Sequence, residues 1–342
     1  MSIKTAIVGY GFSAKTFHIP FITTSDDYVL HALSSSKQDE VKQDWPEVRC
    51  YSGADEMIKH TDADLVIITA PNDVHYSLAK LALEQNKHVL IEKPFVTRSE
   101  DGEALIALAK EKGLLLSVYQ NRRYDGDFLT VKRLIDDNKL GEVRVYESHF
   151  DRFRPDVQNR WREMASDGGG ILYDLGPHLL DQALSLFGLP QTISARCKSM
   201  RKGATTTDYV HLNLGYPGLE VILNASLFCA GPNLRFQVQG DKGSYVKYGL
   251  DPQEDCLRAG ELPLGDNWGE ERLTEFGKFY DADTIELIPT EKGCYQDFFT
   301  DLAKAIETGE YATMDAQQSL NTIKLIELAL ESESRGMQLE VD

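Results

Sequence analysis

Cysteine is scarce in this chain and none of it is paired in sequence. The 342 residues hold five, Cys50, Cys197, Cys229, Cys256 and Cys294, scattered without a C-x-x-C pair. No His/Cys cluster has zinc spacing. A disulfide framework and a zinc module are therefore excluded, and the thiols read as reduced. Positive charge is also short: Lys+Arg total 36 against 54 Asp+Glu, a formal net charge of −18. That balance argues against a broad nucleic-acid or anionic-membrane surface, which needs the opposite field. It leaves room for a local basic pocket for phosphates. Long apolar runs are missing too, so no window spans a bilayer. The opening run, Ile3 to Val8, lacks the basic flank and length of a leader and reads as a strand. These absences predict a soluble, cytoplasmic protein. Internal repeats, low-complexity stretches and flexible linkers are absent as well.

What is present points to a large two-part protein. The length exceeds one ordinary core, and 42% hydrophobic with 26% charged residues is an ordinary globular balance. In the first part, short apolar runs alternate with helical patterns. The run 3–8 feeds into Gly9-Tyr10-Gly11-Phe12-Ser13-Ala14, and a helix near Ser13 to His18 is expected to end at Pro20. Further strands are expected at 29–33, 64–69, 88–91 and 114–118, with helices at 54–59, 73–85 and 99–112. Strands alternating with helices predict right-handed crossovers and a doubly wound parallel sheet.

Near residue 121 the pattern changes. A helix at 127–138 and a strand at 142–150 precede the glycine-rich segment 168–170 and a helix over 171–187. Strand-like runs then follow at 192–200, 207–215, 219–229, 234–240 and 243–248, which predicts a mostly antiparallel open sheet. Residues 250–290 read as irregular. Two helices follow at 294–308 and 315–335, the latter with Leu320, Ile323, Ile326 and Leu330 on one face. The expected class is α/β. A dinucleotide-binding domain over 1–121 precedes a substrate and oligomerisation domain over 122–342, and the C-terminal helices are able to pack back on the first.

Three motifs carry chemistry. Gly9-x-Gly11-x-x-Ala14 fits G-x-G-x-x-G/A after an N-terminal strand. The first glycine permits the turn, the second admits a pyrophosphate, and the small third residue lets helix and strand pack. The diphosphate would sit on amides at the helix start, next to Phe12 and Ser13. The second strand ends His31-Ala32-Leu33-Ser34-Ser35-Ser36-Lys37, with no carboxylate before Asp39. Hydroxyls and an ammonium suit a 2′-phosphate better than a bare ribose, so NADP is expected in preference to NAD. The other reading of 34–37 is a solvated loop.

The second motif, Glu92-Lys93-Pro94, closes its strand at the same edge. A lysine there can hold a substrate hydroxyl and stabilise alkoxide character. The proline fixes the turn, and its peptide bond is a candidate for cis. Third, Asp174 and His178 lie four apart in Gly170-Ile171-Leu172-Tyr173-Asp174-Leu175-Gly176-Pro177-His178, on one helix face. Histidine suits moving the proton of a secondary alcohol. A helix cap with a packed histidine is the plainer alternative.

Taken together and in this order, the three motifs resemble the glucose–fructose oxidoreductase/inositol dehydrogenase/rhizopine-catabolism (Gfo/Idh/MocA) family over nearly the whole chain. Segments such as Gln120-Asn121-Arg122-Arg123, Glu147 to Pro155, Trp161-Arg162 and Gly240-Asp241-Lys242-Gly243-Ser244 are similar to its NADP-dependent scyllo-inositol dehydrogenase branch. The resemblance implies a Rossmann domain followed by an α/β domain whose open sheet builds homodimers or homotetramers. It implies catalytic roles for Lys93, Asp174 and His178. Pro71 and Asn72 fall at the nicotinamide-side loop, and Trp161 and Arg162 resemble a cofactor-clamping pair. His75, Glu92 and Gln120 are counted with the cofactor side. The plainer reading of His75, on the helix after Asn72, is a residue that touches no ligand. Arg122 and Tyr173 are counted with the substrate, against an ion pair for the first and core packing for the second. The missing acid after the second strand departs from NAD-preferring relatives.

The expected activity is hydride transfer between NADP and a secondary hydroxyl or carbonyl of a cyclic polyol or sugar. Two other readings stay open. One is a noncatalytic NADP-binding sensor or regulatory subunit. The other is an NAD-assisted glycosidase.

Overall fold

The computed structural model describes residues 2–158, 163, 168–311 and 315–341. The chain forms two compact units. The first comprises Met1–Asn121, Gln253–Trp268 and Cys294–Leu320; the second comprises Arg122–Pro252, Gly269–Gly293 and Asn321–Asp342.

In the first unit, β1 (Ile3–Val8), β2 (Tyr28–Ser34), β3 (Arg49–Tyr51), β4 (Leu65–Ile68), β5 (His88–Ile91) and β6 (Leu116–Val118) form a parallel sheet of order β3-β2-β1-β4-β5-β6. Its centre is continuously apolar because both faces are covered: every residue of β4 is buried. Chain order reverses between β1 and β4, which makes their carboxyl ends the topological switch point. The crossovers carry α1 (Ile19–Thr24), α2 (Gln38–Asp44), α3 (Ala54–His60), α4 (His75–Glu84) and α5 (Ser99–Lys112). Pro20 does not end a helix. A π-helical turn, Ala14–His18, leads into α1, and Pro20 sits in the first turn of α1, where its missing N–H costs nothing. Sequence periodicity also passed over β3, which is too short to show a period, and α2, which buries only Val41.

The first unit is completed by later segments. α9 (Tyr295–Thr308) buries Phe298 and Phe299. The Phe299 ring stacks on Phe21 at 5.0 Å and meets Tyr119 at 5.6 Å, and the Tyr28 hydroxyl donates to its carbonyl. Buried aromatics of this size are what hold α9 to the parallel sheet.

The second unit starts with α6 (Gly126–Asp136) and β7 (Val143–His149), followed by α7 (Ile171–Phe187). Next come β8 (Thr192–Lys198), β9 (Tyr209–Tyr216), β10 (Leu219–Ser226), β11 (Leu234–Gly240) and β12 (Ser244–Tyr248). The stretch read as irregular contains α8 (Gln253–Arg258), which belongs to the first unit, and β13 (Gly277–Tyr280) and β14 (Ile285–Ile288), which extend the sheet. α10 (Gln317–Arg335) and β15 (Leu339–Glu340) follow. The sheet order is β14-β13-β12-β11-β7-β10-β9-β8-β15, antiparallel apart from the β7–β10 pair. Alternation is plain: Val210, Leu212 and Leu214 of β9 and Val221, Leu223 and Ala225 of β10 are buried, with α7 packed on these two strands. In α10, Leu320, Ile323 and Ile326 are buried, but Leu330 is 38% exposed, displaced from the buried face by Ala329. No described helix is long and apolar enough to cross a membrane.

Candidate active site

The glycine turn opens at the switch point. Gly9 has φ +96°, and a Cβ there would lie 2.8 Å from Thr69 Oγ1, so only glycine fits. Thr69 in turn donates through its hydroxyl to the Val8 carbonyl, joining the ends of β1 and β4. Gly11 is different: a Cβ there would meet nothing within 4 Å. The space in front of it is open, as close approach of a pyrophosphate requires. Ala14 is fully buried, in keeping with tight packing at the third position, whereas Phe12 is 54% exposed.

A cavity of about 340 Å³ begins at this turn and is lined by Gly9, Tyr10, Gly11, the run Ser34 to Lys37 and Ser52. The glycine turn and the 34–37 loop therefore face one space, and no described lining residue is a carboxylate. Ser34 contributes chiefly main chain; its side chain is buried and its carbonyl accepts from Gly9 N. The Ser35 hydroxyl accepts from the Lys37 amide at 2.9 Å, which shapes the loop. The Lys37 ammonium is exposed and 3.5 Å from Glu40. Tyr10 and Ser52 were not singled out from sequence. Ser52 follows β3, the short strand that periodicity missed, so its place at the ligand edge had no signal. An adenine ribose, its 2′ substituent and a diphosphate fit this donor set: hydroxyls, an ammonium and an open glycine cradle.

Glu92 does not present its carboxylate to that space. Its Oε1 accepts from the Ser13 hydroxyl and from His18 Nε2 at 2.9 Å, and Oε2 from the Lys93 amide at 3.2 Å. Burial alone would push this carboxyl up. The His18 bond and charge, the Ser13 hydroxyl and the Lys93 charge outweigh it and hold the group at about 2. Glu92 thus ties the glycine turn to the strand that carries Lys93. Lys93 is half-buried and follows β5, and the Lys93–Pro94 peptide is cis.

His75 belongs to the buried core. It is fully buried, with Nδ1 2.9 Å from the Pro94 carbonyl and Nε2 3.0 Å from that of Ala70. It pins the turn after β4 to the turn after β5, and burial pushes its imidazole below the usual value. Pro71 is exposed at that first turn, and Asn72 is buried beside it. Gln120 is 5% exposed; its Nε2 donates to Ser319, while its Oε1 has no partner among the described residues. An orphaned acceptor just beyond β6, at the carboxyl edge of the sheet, suits a ligand N–H or hydroxyl.

In the second unit, α7 is buried at every position from Ile171 to Leu184 except Tyr173 and Asp174. These two half-exposed residues mark where an otherwise enclosed helix opens. Gly170, at φ +87°, starts the helix where a Cβ would strike Thr207. Pro177 has no amide to donate to the Tyr173 carbonyl one turn back, which loosens the helix between Asp174 and His178. His178 is 5% exposed, with its ring 6.0 Å from that of Phe150. Arg122 is buried, 3.5 Å from Asp125, and Arg123 makes a two-pronged pair with Asp181 at 2.6 and 2.7 Å. The ion-pair reading of this segment is therefore present in the structure. Trp161 and Arg162 lie outside the described residues. Among the described residues no group of His, Cys, Asp or Glu could hold a metal ion, and none of the five cysteines is in a disulfide.

Comparison with known proteins agrees with this geometry. Residues 3–120 match the family model described as oxidoreductase family, NAD-binding Rossmann fold, and residues 132–341 its C-terminal alpha/beta domain. The first unit is thus a nicotinamide-dinucleotide domain, and the protein is an NAD(P)-dependent oxidoreductase. The chain belongs to the Gfo/Idh/MocA oxidoreductase family. It is 43% identical to the uncharacterised oxidoreductase YdgJ of Escherichia coli K12, over 97% of this chain and 96% of that protein. It is 40% identical to the NADP(+) scyllo-inositol 2-dehydrogenase IolW of Bacillus subtilis 168, over 99% and 96%. The solved structure of yvaA from Bacillus subtilis superposes with a TM-score of 0.97 at 38% identity, covering 100% of this chain and 99% of that one.

Proposed function

We propose that this protein is an NADP-linked dehydrogenase or reductase acting on a secondary hydroxyl or carbonyl of a cyclic polyol or sugar, of the scyllo-inositol kind. The observation that carries the cofactor choice is the cavity between the glycine turn and the 34–37 loop, with its serines, its lysine and no carboxylate. A 2′-phosphate suits hydroxyl and ammonium donors and would be repelled by an acid at the end of β2. The polyol assignment is supported by the 40% identity with IolW over nearly the full length of both chains.

When bound, the nicotinamide accepts or returns the hydride. In the oxidative direction His178 takes the hydroxyl proton. Lys93 hydrogen-bonds the same oxygen and stabilises its developing charge. Asp174 holds a neighbouring hydroxyl and keeps the imidazole oriented. Tyr173, beside it at the opening of α7, lines the substrate side. We also propose that copies associate through the outer face of the nine-stranded sheet, and that the protein works in the cytoplasm, where its five thiols stay reduced.

A panel of polyols and sugars assayed with NADP and NAD in parallel tests the reading. Turnover of a cyclic polyol with NADP, and little with NAD, is expected. NADPH binding without turnover of any panel member would make the protein a sensor. Release of sugar from glycosides with no net NADPH would make it a glycosidase. Sedimentation of the purified protein as a monomer would remove the oligomer.

A further inference from the structure

We propose that Arg235 is a positioning residue for the reaction, acting through Gln182 to fix the setting of α7 from which His178 works. The proposal rests on the reading of His178 as the proton-transfer group.

Arg235, in β11, has no exposed surface. A guanidinium removed from water is costly unless its N–H groups are met and its charge is balanced. Here Nε donates to the Asp127 carboxylate at 3.2 Å, and Nη1 to Ser148 Oγ at 2.7 Å and the His149 carbonyl at 3.3 Å. Nη2 donates to Gln182 Oε1 at 2.7 Å. These partners belong to α6, β7 and α7, so a single side chain joins the sheet to two helices.

Gln182 lies four residues beyond His178, on the same face of α7 one turn later. Its Nε2 donates to the Arg122 carbonyl at 2.7 Å. The amide therefore has one possible orientation, oxygen toward the guanidinium and nitrogen toward the carbonyl. Turning it over would set donor against donor and acceptor against acceptor. A second path runs through Phe150. The Arg235 guanidinium lies 4.0 Å from that ring's centroid, and the same ring is 6.0 Å from the His178 imidazole and 5.6 Å from the Arg122 guanidinium. Stability alone does not require this arrangement, because apolar residues of similar volume commonly replace buried ion networks without loss. What such a network adds is a single geometry, and a proton-transfer group is sensitive to its own placement.

The test is a cycle on the full-length protein with NADP and whichever polyol it turns over: Gln182→Met, Arg235→Lys and the double variant, with His178→Ala as reference. Rates are normalised to NADPH-binding sites counted by fluorescence titration. Gln182→Met keeps volume and removes both amide bonds. It is expected to lower kcat roughly 10- to 100-fold, the scale of a displacement of about 1 Å, with NADPH affinity unchanged. The solvent deuterium isotope effect on kcat should rise as proton transfer becomes limiting. Arg235→Lys keeps the charge beside Asp127 but loses the fork, and the double variant should be no slower than the worse single one. Three outcomes overturn the proposal while leaving His178 in place: unchanged kcat per site in Gln182→Met with a strong loss in His178→Ala, losses confined to melting temperature or yield, and losses that multiply in the double variant. Full turnover in His178→Ala overturns the reading of His178 and the proposal with it. Should Arg235→Lys fail to fold, Gln182→Met and its isotope effect decide alone.

Discussion

The two units bury charge in different ways. In the first, the buried ion is a carboxylate, Glu92, and its side-chain partners Ser13 and His18 lie beside the glycine turn at the ligand edge of the sheet. The second buries many charges of both signs; the one that joins most elements is a guanidinium, Arg235, in the sheet itself, with partners from α6, β7 and α7. A parallel sheet brings its functional turns to one edge, so a short link between neighbouring turns suffices. An open antiparallel sheet offers no such edge, and the helix that carries Asp174 and His178 has to be held from below.

The sharpest test of this contrast is to remove one candidate group from each side. Lys93→Met and His178→Ala should each lower turnover by at least ~10²-fold, the range for a group that moves or stabilises a proton. NADPH fluorescence titration should show both variants still binding. Loss of NADPH binding in His178→Ala would break the comparison, because His178 is assigned to proton transfer and not to the cofactor.

Next in size is the dependence of the first unit on α9. Phe299→Ala removes a buried ring that stacks on Phe21 and should cost about 3–5 kcal/mol in thermal or urea unfolding. A change below 1 kcal/mol would mean that α9 is not part of that core. The two fingerprint glycines then separate stability from binding. Gly9→Ala should destabilise by about 1–3 kcal/mol, because φ is +96° and Thr69 blocks the Cβ. Gly11→Ala should leave melting nearly unchanged, within about 0.5 kcal/mol, yet weaken NADPH. Equal stability losses would contradict the open space at Gly11.

A smaller effect is expected at Lys37. Lys37→Ala should lower kcat/KM for NADP by roughly 10-fold, the weight of one hydrogen bond to a charged group, and leave NAD unaffected. Equal losses with both cofactors would remove the 2′-phosphate assignment. Smallest at neutral pH is the titration of Glu92. Its folded value lies below the ordinary one, about 2 against 4.5. The stability it contributes is therefore complete above about pH 4.5 and fades as pH falls toward about 2. Melting temperature should drop more steeply over that window in the wild type than in Glu92→Gln. Parallel curves would show that the carboxylate is not held by His18.

How much of this was legible in the sequence follows the same division. The turns of the first unit announce themselves, because a tight strand-to-helix turn demands glycine and a buried parallel strand is a continuous apolar run. Gly9, Gly11 and the 34–37 loop were readable for that reason. Helix α7 was also readable to its ends, since Gly170 and Gly188 bracket it. His75 stayed open between two readings because a histidine on an amphipathic helix looks the same whether its nitrogens meet a ligand or two carbonyls. Arg235, Asp127 and Gln182 gave no signal. Their meaning depends on pairing across more than fifty residues of chain, and a lone arginine in a strand reads as surface. Strands β13 and β14 were hidden by their shortness and by the turns around them.

The path of the chain through its two bodies has a consequence for biosynthesis. The residues that cap Phe21 and Tyr119 arrive only with α9, at positions 295–308, although the parallel sheet is complete by residue 118. On the ribosome the nascent amino-terminal sheet waits, part of its aromatic side uncovered, until most of the polypeptide has emerged. A chaperone-binding window, and a hazard of aggregation for fragments cut near residue 121, come with that order of arrival.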